Sequence, residues 1–411
     1  MKVNLSKEER AQFINIVDAL GESLDITETQ YNNLVTSYNA VGKYLESDPF
    51  FALYRPIVTP QGSLRLGTII QPVSEDDDLD VDLVYRINGK DPSWTQKHIK
   101  DKVGNRLIYS DRYSSMLQEK EGRRCWTLLY RDSSDNPKEK YHMDILPAVT
   151  DDKYEVRVKR MFLSNFSIDN ANNSAIRITD KKSEIFDKST ITYEWLRSNP
   201  DGYAFWFASR CRIAENREKF LVENVIPINR YNKKKYPLQR IVQILKRHRD
   251  WMFANDSEDK PISIIITTLA AQAYSGENNV LEGLLNVVQK MEDCIDIDNR
   301  TGVCKILNPV DPSENFADKW VEKPKKKENF FKWINKVKAD VESIINAKGT
   351  SWQTLLGESF GKSVSQRTSN LYAEKMKKAI TTGSVMVGST GMMGAVGKVI
   401  NGANTFFGNE D

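Results

Sequence analysis

Residues 61–87, QGSLRLGTIIQPVSEDDDLDVDLVYRI, begin with a Gly62-Ser63 pair in a basic, turn-rich segment and end in a strand pattern that carries Asp80 and Asp82 two residues apart. On a strand, residues i and i+2 point to one face. Asp80 and Asp82 therefore form a carboxylate pair, while Val81, Leu83, Tyr85 and Ile87 line the opposite face and enter a core. The acidic face is expected to border a cleft. Two carboxylates held this close repel each other unless a cation lies between them, and oxygen-only ligands suit Mg²⁺ shared with a substrate's phosphates. Glycine at position 62 lets the backbone approach a phosphate closely, and Ser63 adds a hydroxyl and an N–H for anionic oxygens. A helix expected after Ser63 would add its positive N-terminal end. Glu75, Asp76, Asp77 and Asp78, just upstream of the pair, read as a solvated acidic loop.

The whole chain narrows what this stretch can serve. With 411 residues, 40% of them apolar and 10% aromatic, it can bury the core of one large bilobed unit or of two domains. Its 59 basic and 56 acidic residues nearly cancel, which argues against a protein that coats long nucleic acid and leaves small charged ligands open. Cys125, Cys211, Cys294 and Cys304 show no CxxC spacing and do not cluster with His98, His142 or His248. A zinc site is therefore not expected, and reduced cytosolic thiols are. The opening MKVNLSKEER lacks the apolar core of a signal peptide, and the most apolar run, 262–273, is shorter than the roughly 20 residues of a bilayer span.

Upstream, Ser6 with Glu9 and Thr27 with Gln30 have the spacing of capping boxes, each ahead of an apolar helical stripe. Residues 57–59 read as a short strand that delivers the chain to Gly62. Downstream, Ser93 with Gln96 suggests the cap of a helix over 94–107, residues 124–130 read as a buried strand, and 133–137 as a polar turn. The next strand, 141–146, is expected to close at Pro147; it sets Met143 and Ile145 on one face and His142 and Asp144 on the other. Asp144 is then a third carboxylate for a site already holding Asp80 and Asp82. Asp296 and Asp298 repeat the spacing with no Gly-Ser upstream and no third strand acid downstream, so they are assigned to structure.

The C-terminal half reads as helical. Ile241, Ile244, Leu245 and His248 share one face of a helix, with Lys246, Arg247, Arg249 and Asp250 mixing charge around the rest. His248 is assigned to packing rather than to catalysis. Ser263 opens a second apolar helix and is most simply its N-cap. Residues 323–327 read as a basic loop, 330–337 as a further helix, and glycines from Gly383 to Gly408 mark a mobile tail.

Taken in order, Gly62-Ser63, Asp80-x-Asp82 and a distant Asp144 resemble the active-site signature of the DNA polymerase β-like nucleotidyltransferase superfamily. GSLRLGT, DLDVDLV and HMDILPA are similar to segments of the bacterial cGAS/DncV-like nucleotidyltransferases, the CD-NTases, and the likeness continues through SNPDGYAFWF, PLQRIVQILKRHRDWMF, KPISIIITTLAAQAY and NPVDPSENFADKW. It covers most of residues 30–335. The resemblance implies an α+β fold: a polymerase β-like core of mixed sheet and helices over 1–205, a helical lobe over 206–378 with a central cleft between the two, and a Gly-rich tail over 379–411. It implies a cytoplasmic bacterial enzyme that joins ribonucleoside triphosphates (ATP, GTP or pyrimidine nucleotides) into a cyclic di- or trinucleotide messenger of anti-phage defence, and releases pyrophosphate. Two Mg²⁺ ions, or Mn²⁺, would be held by Asp80, Asp82 and Asp144, the donor triphosphate by Gly62 and Ser63, and also by Lys246 and Ser263 from the helical lobe. Some relatives wait for a regulatory protein partner encoded nearby; no membrane and no obligate nucleic acid are expected. The ending Gly408-Asn409-Glu410-Asp411 departs from the terminal glycine on which conjugation machinery acts in some relatives, so such processing is not expected here. Two other readings stay open: transfer of nucleotides to an RNA or another acceptor, and nucleotide binding without catalysis.

Overall fold

The computed structural model describes residues 3, 5–73, 79–131, 134, 140–151, 175–213, 231 and 234–381, together with three two-residue strands beyond them. The acidic loop at 75–78 and most of the expected turn at 133–137 lie outside the described residues. Two compact units emerge. One consists of Met1–Asp25, Tyr236–Ile306 and Ala317–Asp411, the other of Ile26–Lys235 and Leu307–Phe316. The expected division at 205 and 206 therefore shifts: the first helix joins the C-terminal helices, and a short later segment joins the sheet.

Both expected capping boxes form. Ser6 caps α1 (Lys7–Ser23), and Thr27 caps α2 (Glu28–Glu46); each hydroxyl accepts from the N3 amide, while the N3 side chain accepts from the cap amide. In the sheet unit the chain runs through β1 (Ile57–Gln61), the one-turn α3 (Gly62–Leu66), β2 (Leu79–Ile87), α4 (Gln96–Ile108), β3 (Trp126–Tyr130), β4 (Tyr141–Thr150), β5 (Ile176–Ile178), β6 (Leu196–Ser198) and α5 (Pro200–Cys211). The sheet order is β1-β2-β4-β5-β6, with β3 also paired to β4. Among the described residues only β2 and β4 of this sheet run parallel; the other pairings are antiparallel, so the sheet is mixed.

The α4 boundary differs from the expected one. Thr95, not Ser93, is the cap, with His98 closing the box. Ser93 is taken by a tight turn in which its N–H and hydroxyl both donate to Asp91 Oδ1, at 2.8 and 2.6 Å. Gln96 is buried and accepts from the Asp180 amide at 2.8 Å, and Trp94 stacks on Phe50 with centroids 5.1 Å apart. Nor does Pro147 close β4. The strand runs on to Thr150, because β3 pairs with β4 up to Ile145 and β5 takes over from Ala148. Proline sits in the handover, where neither ladder needs its missing N–H.

Val81, Leu83, Tyr85 and Ile87 are buried as the alternation required, in a core with Met143, Ile145, Ile99 and Val103. The opposite face is open only at its start. Val84 is sealed there by Leu146, Ala148, Ile176 and Ile178. The segment with β7 (Leu307–Asn308) and β8 (Asp311–Asn315) belongs to this unit because the Arg197 guanidinium forks onto buried Asp311 and reaches Ser313.

The helical unit centres on α6 (Pro237–Met252), followed by α7 (Ser263–Ala273) and α8 (Val280–Lys290). The expected charged flank of α6 is absent: every residue from Leu238 to Arg249 except Gln239 is buried. Its charges are matched inside. Arg240 pairs with Asp25 at 2.7 Å, Arg247 donates to the Phe360 carbonyl at 3.1 Å, and Arg249 pairs with Asp250 at 2.7 Å. Such pairing is what makes a buried charge tolerable. Residues 323–327 are not a loop but the start of the helix Pro324–Ile345, where Lys323, Lys325 and Lys326 meet Glu258, Asp256 and Asp259. N-terminal α1 is bound here by Lys348 to Glu9 at 2.6 Å and by Lys375 to Glu22 at 2.8 Å. Of the expected tail over 379–411, residues up to Thr381 belong to the last helix, Lys362–Thr381, and Met386–Val387, Met393–Gly394 and Lys398–Val399 pair as a three-stranded sheet; the rest lies outside the described residues. Among the described residues no helix is long and apolar enough to cross a membrane.

Candidate active site

The parallel register of β2 and β4 sets Asp82 beside Asp144 and Asp80 beside His142. Because both strands alternate, all four side chains lie on one face, the face left open at the start of β2. Asp80 is the most exposed, with 81% of its side chain accessible, and its Oδ1 lies 4.0 Å from His142 Nδ1. Asp82 and Asp144 are half-buried. On the far side of Asp144, β3 presents Thr127, whose hydroxyl donates to Asp144 Oδ1. The next residue along that face is Cys125, packed against the Val84 and Leu146 cluster. Burial pushes its thiol up to about 12, and the charges of Asp144 and Asp82 push the same way, which puts both carboxylates within electrostatic reach of it.

Gly62 completes the platform. Gln61 pairs with Asp82 across β1 and β2, so the next residue turns directly over that carboxylate. Its φ of 61° is left-handed, and a Cβ built there would lie 2.1 Å from Asp82 Oδ2. Only glycine fits both demands. Ser63 follows in α3, a turn closed by left-handed Gly67 and by the Thr68 N–H donating to the Ser63 carbonyl at 2.9 Å. Arg65 braces the turn against Asp201 at 3.3 Å, and Arg86 approaches the same carboxylate at 3.7 Å. The expected helix after Ser63 is thus little more than a single turn, Gly62–Leu66, with Arg65 at its end paired to Asp201.

The structure brings Gly62, Ser63, Asp80, Asp82 and Asp144 together within the sheet unit. Lys246 and Ser263 belong to the helical unit. Lys246 is buried on α6. Ser263 does open α7, but Ile262 is the cap residue, and the Ser263 hydroxyl accepts instead from Arg249 Nη1 at 2.9 Å. His248 is 1% exposed and lies 3.0 Å from Asp340, edge-on to Phe360, which makes it a core residue. Asp298 accepts the amides of Arg300 and Thr301 at 2.9 Å each and so shapes a turn, in line with its structural assignment. Thr127 and the Arg65–Asp201 brace were missed because each depends on a partner distant in sequence. The alternation of WTLLY could have placed Thr127 on a face, but not beside Asp144.

Among the described residues no three His, Cys, Asp or Glu side chains close into a metal cage. The acids instead form an open oxygen platform beside Gly62, whose missing side chain makes room for the Asp82 carboxylate. That donor set fits Mg²⁺, which binds through a few carboxylates and takes water and substrate phosphate for the rest of its shell.

Residues 12–180 match the Second Messenger Oligonucleotide or Dinucleotide Synthetase domain. Over 358 residues the chain is 31% identical to the c-di-GMP synthase of Roseivirga ehrenbergii, covering 86% of this chain and 85% of that protein. The chain belongs to the cGAS/DncV-like nucleotidyltransferase family, the CD-NTases. Its architecture agrees. The CD-NTase CdnG of Bradyrhizobium diazoefficiens, solved with GTP, superposes with a TM-score of 0.63 at 19% identity, over 87% of this chain and 97% of that one. CdnC of E. coli MS115-1, solved with a HORMA protein, gives 0.56 at 14% identity, over 87% and 99%. This CD-NTase is an enzyme, a nucleotidyltransferase with the α+β fold of its family.

Proposed function

We propose that this CD-NTase condenses two molecules of GTP into cyclic di-GMP, with Mg²⁺ as cofactor and pyrophosphate as leaving group. The observation that carries the choice of nucleotide is the 31% identity to a c-di-GMP synthase along 86% of the chain. The register that sets Asp82 beside Asp144 under Gly62 supports the chemistry.

In this reading Asp80 and Asp82 would hold both cations, and Asp144 would hold the one that activates the acceptor hydroxyl. Bound Mg²⁺ would ease deprotonation of the attacking ribose hydroxyl and neutralise charge on the leaving phosphate. The acceptor oxygen forms a bond to the donor α-phosphorus, the bond from that phosphorus to the bridging oxygen breaks, pyrophosphate departs with both electrons, and the hydroxyl proton passes to solvent. Gly62, having no side chain, lets its backbone lie over Asp82, while Ser63 offers its hydroxyl and N–H to the donor's terminal phosphates. Most of the gain comes from orientation and fixed charge, so no histidine base is required. A second round on the linear intermediate closes the ring. The product is read as a messenger of anti-phage defence, and a regulatory protein partner, of the kind seen with CdnC, belongs to the same reading.

Incubation of purified protein with Mg²⁺ and all four ribonucleoside triphosphates, followed by mass spectrometry, tests this. Expected is a phosphatase-resistant cyclic di-GMP that is absent from Asp82→Asn and from reactions containing a chelator. A cyclic product of other bases would overturn the choice of GTP. Product formation only when RNA is added would overturn the reading of two free nucleotides.

A further inference from the structure

We infer that Thr127 is a positioning residue for Asp144, and that its hydroxyl sets which carboxylate oxygen faces the cation. The inference rests on the proposed role of Asp144 as a metal ligand. Thr127 lies on β3 directly opposite Asp144, and its hydroxyl donates to Oδ1. A carboxylate on a strand can rotate about its last torsion, and an ion pays for fixing that rotation when it binds. Here the neighbouring strand fixes it beforehand. Threonine suits the task because β-branching limits χ1, so a hydroxyl aimed across the ladder stays aimed.

The backbone under Thr127 is itself held. Lys100, fully buried on α4, donates from Nζ to the Cys125 carbonyl at 3.0 Å and pairs with Glu121 at 3.0 Å. The Trp126 indole N–H donates back to the Lys100 carbonyl at 2.9 Å. The two residues preceding Thr127 are therefore tied to a helix on the opposite face of the sheet, while Thr127 turns to the acids. With Oδ1 occupied by a donor, Oδ2 is left to meet the ion, and Asp82 sits beside it across the parallel pairing.

Outer partners of metal ligands typically govern ~10–100-fold in metal affinity. The test is Mn²⁺ binding to the intact protein with a non-hydrolysable GTP analogue, followed by electron paramagnetic resonance of the free ion, with thermal melts as a folding control. Thr127→Val keeps the shape and removes the donor; it should weaken Mn²⁺ affinity by about tenfold, at the low end of that range because the site is half-open. Thr127→Ser should restore most of the loss. In turnover, Thr127→Val should raise the Mg²⁺ needed for half-maximal rate while leaving the KM for GTP nearly unchanged. Wild-type affinity in Thr127→Val, with weakened binding in Asp144→Asn, would overturn the positioning role and leave the metal reading standing. Wild-type affinity in both would overturn the metal role of Asp144 as well. Equal losses in Thr127→Val and Thr127→Ser would assign the effect to strand packing and overturn the hydroxyl's part.

Discussion

Gly62→Ala separates two roles of one glycine. The φ of 61° puts any other residue in the left-handed region, which costs an L side chain about 1–2 kcal/mol. The added methyl would lie 2.1 Å from Asp82 Oδ2, whereas a carbon and an oxygen rest no closer than about 3.3 Å. The carboxylate must therefore retreat by roughly 1 Å, and a displacement of that size can cost about 10²-fold in rate. Gly89 supplies the control: its φ is 75°, and a Cβ there meets nothing within 4 Å. Gly89→Ala carries the backbone strain without the collision. Gly89→Ala should lose about 1–2 kcal/mol, a fall in Tm of roughly 2–8 °C for a unit of this size, and Gly62→Ala at least as much. Only Gly62→Ala should lose the rate of pyrophosphate release at saturating GTP. Should Gly62→Ala keep a rate within about threefold of wild type, Asp82 does not need its place under Gly62 and the geometric argument fails.

Two further outcomes follow from pairs outside the site. Asp311 is 2% exposed and held by the Arg197 fork; Arg197→Met strands that charge and should destabilise the sheet unit by about 3 kcal/mol, read by urea unfolding, and a loss within error of zero would refute the pair's importance. His248 is held below its ordinary value by burial, against the pull of Asp340, with Lys336 adding to the depression. Burial alone would raise the Asp340 carboxyl, but His248 and Lys336 keep it below the usual range. An ionised Asp340 requires His248 Nε2 to donate, and Nδ1 is buried without a partner, so a proton there has nothing to meet. The unfolded imidazole then binds its proton first as pH falls. The contribution is full above the unfolded value near 6.5 and is lost as pH drops through it toward the folded value. Stability should decline between about pH 7.5 and about pH 5.5, less steeply in His248→Gln; parallel slopes in the two proteins would contradict this.

Local grammar explains what could be read directly. Ser6 and Thr27 capped the helices their spacing announced, because a capping box closes within four residues. Alternation in DLDVDLV was enough to aim Asp80 and Asp82 away from the core. Ser93 and Pro147 misled for a common reason. Each has a local preference, for a cap and for a strand end, that other contacts overrode: Ser93 turned to neighbouring Asp91 while Gln96 was drawn to Asp180, and the edge of β4 passed from β3 to β5 at the proline. The burial of the charged residues of α6 could not be read from the sequence, because helical periodicity counts faces and cannot see that α1 and the later helices return to cover all of them.

The sequence alone determined which residues could serve as ligands: a glycine-serine turn and three strand acids, whose faces follow from a period of two. Tertiary structure decided how those residues meet. Register between β2 and β4, a pairing across 62 residues, is what makes Asp144 the neighbour of Asp82, and β3 is what gives Asp144 its threonine. Gly62 changed most in meaning, from a residue that lets a phosphate approach to one required because Asp82 already occupies the space a side chain would fill. Alternation is a property of each strand by itself, whereas register and close approach belong to pairs of segments, and no single segment carries them.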